Sequence, residues 1–338
     1  MNSRMSALVY EAPLQMNMRQ VPVPVLQPDE ALIRVAYSGI CGSELSGYEG
    51  KNSLRKPPLI MGHEFSGHIE ALGSAVARPE LKAGAAVTAN PLVSCRQCRY
   101  CLSGKQQLCP NRKLLGAHVP GSNAEFVAVR ADALFLIPPE LSLAKAALTE
   151  PAACAIHAAA LATPAPDEQG LVVGAGPIGL MVIQALADRG ISRIFCIDLN
   201  AERLAMAEKL GAIPGTFESL ASRPVDIVVD AVGASATRQG SSRVVRSGGR
   251  IVWIGLHEAD TELPVNDFIR REITTSGSFA YTPIDFGNAL QALAQKRITL
   301  EDAWTQIEPL ENGMGCFEKL LHGAPISKIW LTPRESLP

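Results

Sequence analysis

The chain is poor in charge and in aromatic rings: of its 338 residues, 19% are Asp, Glu, Lys or Arg and 5% are Phe, Trp or Tyr. Thirty-one basic residues nearly cancel thirty-three acidic ones, leaving a net charge of −2. So small a balance gives no positive footprint for a polyanion, which excludes nucleic acid as the expected main partner. Long apolar runs are missing too. The longest, Leu171–Ala187, is short and broken by glycines, so no membrane span is expected. Residues Met1–Glu30 lack an apolar core behind a basic start, and a cytoplasmic protein with reduced thiols is expected. Cysteine is sparse as well: eight in the whole chain cannot staple a disulfide scaffold of this length.

What remains is an ordinary globular composition. Hydrophobic residues make up 47%, which excludes wholesale disorder, and the length suggests about two domains. Up to about residue 150 the chain shows short β-rich segments, such as Ala31–Tyr37, Phe65–Leu72, Ala85–Ala89, Ala124–Val129 and Ala133–Ile137, set between Gly/Pro clusters. From Leu171 onward, apolar strands alternate with helical patterns, including Ile178–Arg189, Ala201–Leu210, Ala236–Val245 and Phe286–Gln295. Alternation of this kind builds a doubly wound parallel sheet. Beyond residue 296 the texture turns β-like again at Ile329–Thr332, so the end of the chain is expected to return to the first domain.

At the start of the alternating region, Val172–Val173 run into Gly174-Ala175-Gly176-Pro177-Ile178-Gly179 and then an apolar helix. The glycines fit G-x-G-x-x-G, in which they permit a tight turn, close approach of backbone to a pyrophosphate, and close helix–strand packing. The helix N-terminus supplies free N–H groups for the phosphates. A second strand ends in Asp198, placed to accept hydrogen bonds from the adenosine ribose and to repel a 2′-phosphate, which favours NAD over NADP. Arg203 lies one helical turn further on and is a candidate to lie against the adenine or ribose.

Four of the cysteines, Cys95, Cys98, Cys101 and Cys109, read C-x2-C-x2-C-x7-C. Four thiolates complete a closed tetrahedral zinc site, which leaves no position for substrate and is therefore structural. An iron–sulfur cluster is the alternative, although its final Cys-Pro follows after three residues rather than seven. A second constellation is dispersed over Cys41, the pair His63-Glu64, and Glu150. Thiolate, imidazole and carboxylate together are the ligand set of a catalytic zinc with one open position.

These landmarks (G-I-C-G-S-E, G-H-E, the four-cysteine loop, E-P, G-A-G-P-I-G and Asp198) resemble the zinc-containing medium-chain dehydrogenase/reductase family, in particular its polyol (sorbitol-like), butanediol and threonine dehydrogenases. The resemblance spans nearly the whole chain and implies an α/β architecture: a GroES-like β-rich catalytic domain plus a Rossmann doubly wound parallel-sheet domain. The expected bounds are 1–152 for the first part of the catalytic domain, 153–290 for the NAD-binding domain and 291–338 for the return. It further implies one catalytic and one structural zinc per chain, NAD, a small alcohol or polyol substrate, and a homodimer or homotetramer. Cys41 and His63 match catalytic zinc ligands, while Glu64 and Glu150 match carboxylates in or beside the zinc shell. Ser43 matches the hydroxyl that takes the substrate proton, and Tyr281 matches a position near substrate in sorbitol dehydrogenases. Tyr48 and His118 are further candidates to face the substrate cleft. Two positions depart from the pattern. Glu44 stands where an aspartate usually orients the ligating histidine, and Ala280 replaces the arginine of a sorbitol-type pocket. His157, at the domain crossover, is a candidate for the proton relay or the phosphates or else a packed helix residue, the reading favoured here; His68, His257 and His322 are expected to be structural, and Cys154, Cys196 and Cys316 to be packing residues. Threonine-type or primary alcohol oxidation, and a non-catalytic dinucleotide sensor, are the competing readings.

Overall fold

Alternating apolar residues between Gly/Pro turns let the first part of the chain pair as antiparallel strands with one face buried. The computed structural model describes residues 3–333. The chain divides into two compact units: one runs to Glu150 and resumes at Glu301, and the other spans Pro151–Leu300. The second unit thus ends ten residues beyond the expected 290, because the helix Pro283–Ala294, with Phe286, Ala289, Leu290 and Leu293 buried, is followed by the buried Ile298 and Leu300.

The strand Glu30–Gly39 is the hub of the first unit. It pairs antiparallel with Glu64–Leu72 and with Phe126–Arg130, and its last residues pair with the C-terminal strand Lys328–Thr332. Ile33, Val35, Phe65, Ile69, Val87 and Val127 close one core cluster of this unit. Full burial of each such side chain contributes on the order of 1.5–3 kcal/mol. A second cluster gathers Leu8, Tyr10, Tyr48, Met61, Phe317 and Leu331. Register does the functional work here. Gly39 lies opposite both Glu64 and Trp330, so Cys41, His63-Glu64 and Lys328 converge from three distant parts of the sequence.

In the second unit, six parallel strands lie in the order 213–214, 193–197, 169–173, 225–230, 245–253 and 274–277. This is the doubly wound 3-2-1-4-5-6 order, with its switch point between Gln169–Val173 and Val225–Asp230. Both faces of the sheet are covered, which is why its strands read as continuous apolar runs rather than as alternating ones.

Several elements go beyond the sequence expectations. An N-terminal hairpin joins Arg4–Ala12 to Gln15–Pro22 through Leu14, whose φ of 61° is unusual for leucine, so no Asn-Gly or Gly-Gly signal marked it. The helix Gly313–Leu321 forms where a β-like texture was expected, burying Cys316 and Phe317. Among the described residues no helix is long and apolar enough to cross a membrane.

Candidate active site

Cys41 ends the turn after the hub strand and caps the short helix Gly42–Tyr48, while His63 and Glu64 open the paired strand. One donor atom from each of Cys41, His63 and Glu64 falls within 4.8 Å of the others. That spacing and the thiolate–imidazole–carboxylate chemistry fit a single zinc ion with an open position. His63 is 3% exposed and Glu64 is 1% exposed. The sequence-stated fourth member, Glu150, lies outside this group of three, in the first turn of the helix Thr149–Leu161.

Glu44, expected to orient the histidine, does something broader. It is fully buried; one carboxylate oxygen accepts the Cys41 N–H at 3.0 Å and the other accepts the Gly62 N–H at 2.5 Å. One side chain therefore clasps the two backbone turns that carry the sulfur and the imidazole. The longer reach of glutamate suits this clasp, while its Oε1 remains 3.6 Å from His63 Nδ1, beyond ordinary hydrogen-bond distance. Burial disfavours the imidazolium, but the negative charges of Glu44 and Cys41 outweigh it and hold the His63 pKa well above the usual histidine range. Gly62 must be glycine at a φ of +103°, where a Cβ would also crowd Asn123 and Ser122.

Two residues without a motif complete the centre. Lys328 is 2% exposed and donates to Glu64 Oε2 at 2.5 Å and to the Ile40 carbonyl at 3.1 Å. Burial works against its charge, yet Glu64, Cys41 and Glu150 keep its pKa raised. The carboxylate fits beside Gly39, where a Cβ would stand 2.6 Å from Glu64 Oε2. Arg55 donates from Nη2 to Ser43 Oγ at 3.0 Å, and Ser43 in turn donates to Cys41 Sγ at 3.3 Å. The signal for Lys328 was a lone charge in an otherwise apolar strand, Lys-Ile-Trp-Leu-Thr, all of it buried. For Arg55 no sequence signal existed.

The four-cysteine loop is gathered as its spacing implied. Cys98 and Cys101 sulfurs are 3.5 Å apart, Cys95 and Cys101 sulfurs 3.9 Å, and all four cysteines, Cys109 included, lie within 4.8 Å. Sulfurs about 2.3 Å from one centre at tetrahedral angles stand about 3.8 Å apart, so the geometry fits zinc. Backbone N–H groups of Gln97 and Cys98 lower the Cys95 thiol to about 6, and burial pushes Cys101 up to about 11.

In the second unit the glycine turn takes the form a pyrophosphate needs. Gly174 sits at φ +95° and Gly176 caps the helix Pro177–Asp188, with Pro177 and Ile178 in its first turn and Gly179 packed against Gly174. Asp198 accepts the Ala175 N–H at 2.6 Å and the Asn200 N–H at 2.8 Å, tying the second strand to the turn. Arg203 is half-buried in the following helix, its N–H bound to the Asn200 cap.

The substrate candidates fare differently. Tyr48 does not face a cleft: it is fully buried, donates to the Leu14 carbonyl and packs 5.4 Å from Phe317. The reason is that the second core cluster takes its ring as apolar filling. Tyr281 is buried beside Phe286 at 5.6 Å. His118 is exposed and lines a cavity of about 730 Å3 in the first unit with Ser53, Lys56 and Lys113. His157 pairs with Asp285 at 2.8 Å, inside the second unit.

The chain compares closely with known proteins. Residues 27–139 match the alcohol dehydrogenase GroES-like domain and residues 177–295 the zinc-binding dehydrogenase domain. A D-arabitol-phosphate dehydrogenase of Enterococcus avium is 34% identical, over 96% of this chain and 97% of its own. A sorbitol dehydrogenase of Bacillus subtilis is also 34% identical, with 94% of each chain covered. The structure of a zinc-binding dehydrogenase from Sinorhizobium meliloti 1021 bound to NADP superposes with a TM-score of 0.91 at 28% identity, covering 98% of this chain and all of that one. The chain belongs to the zinc-containing medium-chain dehydrogenase/reductase family, with a GroES-like domain and a Rossmann domain, and is a zinc-type alcohol dehydrogenase.

Proposed function

We propose that this enzyme oxidises a secondary hydroxyl of a polyol, sugar derivative or diol, passing hydride to NAD. The observation that carries the reading is the convergence of Cys41, His63 and Glu64 on one point, with the Ser43 hydroxyl 3.3 Å from the Cys41 sulfur. The names of the arabitol-phosphate and sorbitol dehydrogenase relatives support the polyol class. Zinc at the triad supplies a Lewis acid that brings an alcohol's pKa toward neutrality, and the dinucleotide supplies the hydride acceptor.

The chain's own residues handle position and proton. A serine hydroxyl has one donor and two acceptor sites. Arg55 fills one acceptor site of Ser43 and the O–H points to Cys41, which leaves one acceptor site for an incoming hydroxyl. Ser43 is the proton acceptor of this reading, Cys41 and His63 hold the metal, and Glu64 and Glu150 stand in or beside its shell. The cysteine loop holds the second, structural zinc. Gly174, Gly176, Pro177, Ile178 and Gly179 cradle the pyrophosphate, with Asp198 and Arg203 at the adenosine ribose. Two backbone N–H groups hold the Asp198 carboxylate at the end of the second strand, the position that repels a 2′-phosphate in this motif, which supports NAD over NADP.

A homodimer or homotetramer is part of the proposal. The strand Thr274–Gly277 stands at the sheet edge, and the exposed Val265 and Ile269 lie on the helix just before it in sequence. Eight free thiols support a reducing, cytoplasmic setting. A screen of alcohols, diols and polyols at alkaline pH, with NAD and NADP in parallel and NADH absorbance as the readout, tests the reading. Turnover confined to primary alcohols or to amino alcohols would overturn it.

A further inference from the structure

Arg55 is 4% exposed, and Glu44 is a carboxylate whose charge reaches it, although the Glu44 oxygens are taken by backbone N–H groups. Of its five N–H donors, one meets Ser43 Oγ, and Nε is buried with no partner. Burying a guanidinium with donors left over is costly unless something completes its bonding. The fold nonetheless makes room for it. Its stem runs over Gly47, where a Cβ would stand 3.3 Å from Arg55 Cβ and Cγ and closer still to Cδ.

The buried Glu44 carboxylate feels the Arg55 charge, but the cavity beside Arg55 in sequence is lined by basic groups without an acid. Leu54 and Lys56, on either side of Arg55 in sequence, line the 730 Å3 cavity along with Lys113 and His118, and no Asp or Glu lines it. The His118 pKa is lowered by partial burial and by the charges of Arg112, Arg55 and Lys113, so Arg55 and this basic group share one field.

We propose that Arg55 reads an oxyanion on the substrate, so that the hydroxyl compound oxidised at the Ser43 position carries a phosphate or carboxylate. The planar fork suits either group, donating two parallel charge-assisted bonds to its oxygens. Distance sets the spacing. A substrate oxygen bonded to Ser43, itself 3.0 Å from Nη2, lies at most about 11 Å from an oxyanion on the same guanidinium, counting about 2.8 Å per added bond and about 2.3 Å between guanidinium nitrogens. The oxyanion therefore belongs to the same small molecule as the hydroxyl that is oxidised. This inference rests on the polyol reading above and narrows its substrate class.

The test compares kcat/KM on the zinc-loaded enzyme with NAD for three compound types: a neutral pentitol, a pentitol phosphate and an aldonate. The wild-type enzyme is expected to prefer one of the two anionic compounds by tenfold or more, and the two arms tell phosphate from carboxylate. Arg55→Met also disturbs Ser43, so the readout is the anionic-to-neutral ratio. That ratio should fall at least tenfold, with Arg55→Lys recovering part of it. A wild-type ratio near one, or equal losses on both classes, would overturn the subsite while leaving the polyol reading intact. Calorimetric binding of inorganic phosphate to the same proteins separates the remaining cases. If nothing is oxidised but phosphate binding depends on Arg55, the subsite stands and the polyol reading falls. If neither is seen, both fall.

Discussion

Lys328→Met removes the ammonium that faces Glu64 at 2.5 Å, where the two side chains are 2% and 1% exposed. At an effective dielectric of about 20, opposite charges at that distance attract by about 7 kcal/mol before desolvation is counted. Desolvation of both ions offsets much of this, so the pair itself adds little. Removal of one member is another matter, because it strands a buried charge at a cost of about 3–5 kcal/mol. In the metal-free protein Lys328→Met leaves the buried Glu64 without its cation and removes the charge that Cys41 and Glu150 also act on, so its cost belongs at the upper end. Glu64→Gln belongs at the lower end, since Lys328 Nζ keeps the Ile40 carbonyl at 3.1 Å. The double variant removes both charges and should lose at least about 2 kcal/mol less than the sum of the singles. Urea unfolding in a Trp253→Phe background checks this, because the remaining tryptophans, Trp304 and Trp330, are buried in the same unit as the pair. Additivity within about 0.5 kcal/mol would refute the coupling and the place of Lys328 in the metal centre.

Three further outcomes follow from the geometry. Cys98→Ser opens the closed sulfur cage, and should lower zinc content by about one ion per chain and stability by more than about 4 kcal/mol, read by metal analysis and unfolding. Asp198→Ala removes the carboxylate proposed to meet the ribose and should raise the NADP-to-NAD ratio of kcat/KM about ten- to hundredfold; an unchanged ratio would count against that role. Burial works against the Asp285 carboxylate, but hydrogen bonds from His157 and Thr282 outweigh it and hold its pKa below the usual value. A lowered folded pKa stabilises above the unfolded value of about 3.9 and loses that contribution as pH falls below it, so Asp285→Asn should flatten the acid limb of the stability profile.

The parts legible in sequence were those whose function needs residues close together in the chain. The glycine turn from Gly174 to Gly179 and the cysteines from Cys95 to Cys109 carry their geometry in their spacing, because backbone conformation and ligand reach are local constraints. Cys41 and His63 could be paired only through a resemblance, since the antiparallel register of Gly39 opposite Glu64 is a tertiary fact. Lys328 reaches Glu64 across 264 positions, and Arg55 reaches Ser43 from a loop with no motif. Tyr48 shows the opposite failure. It is a candidate to face the cleft from sequence, whereas the core takes its ring as apolar filling with its hydroxyl satisfied by Leu14. Glu44 is the charge partner of His63 that the sequence suggested, at 3.6 Å, and its carboxylate also binds two backbone N–H groups that no motif marked.

The central claim is that Cys41, His63 and Glu64 hold a working zinc distinct from the one in the cysteine loop. Zinc content and turnover measured together on Cys41→Ser test it most directly. The wild-type protein should hold about two zinc ions per chain, and Cys41→Ser about one, still folded, still binding NADH, and with oxidation abolished. Two ions retained with activity intact, or both ions lost together, would contradict it.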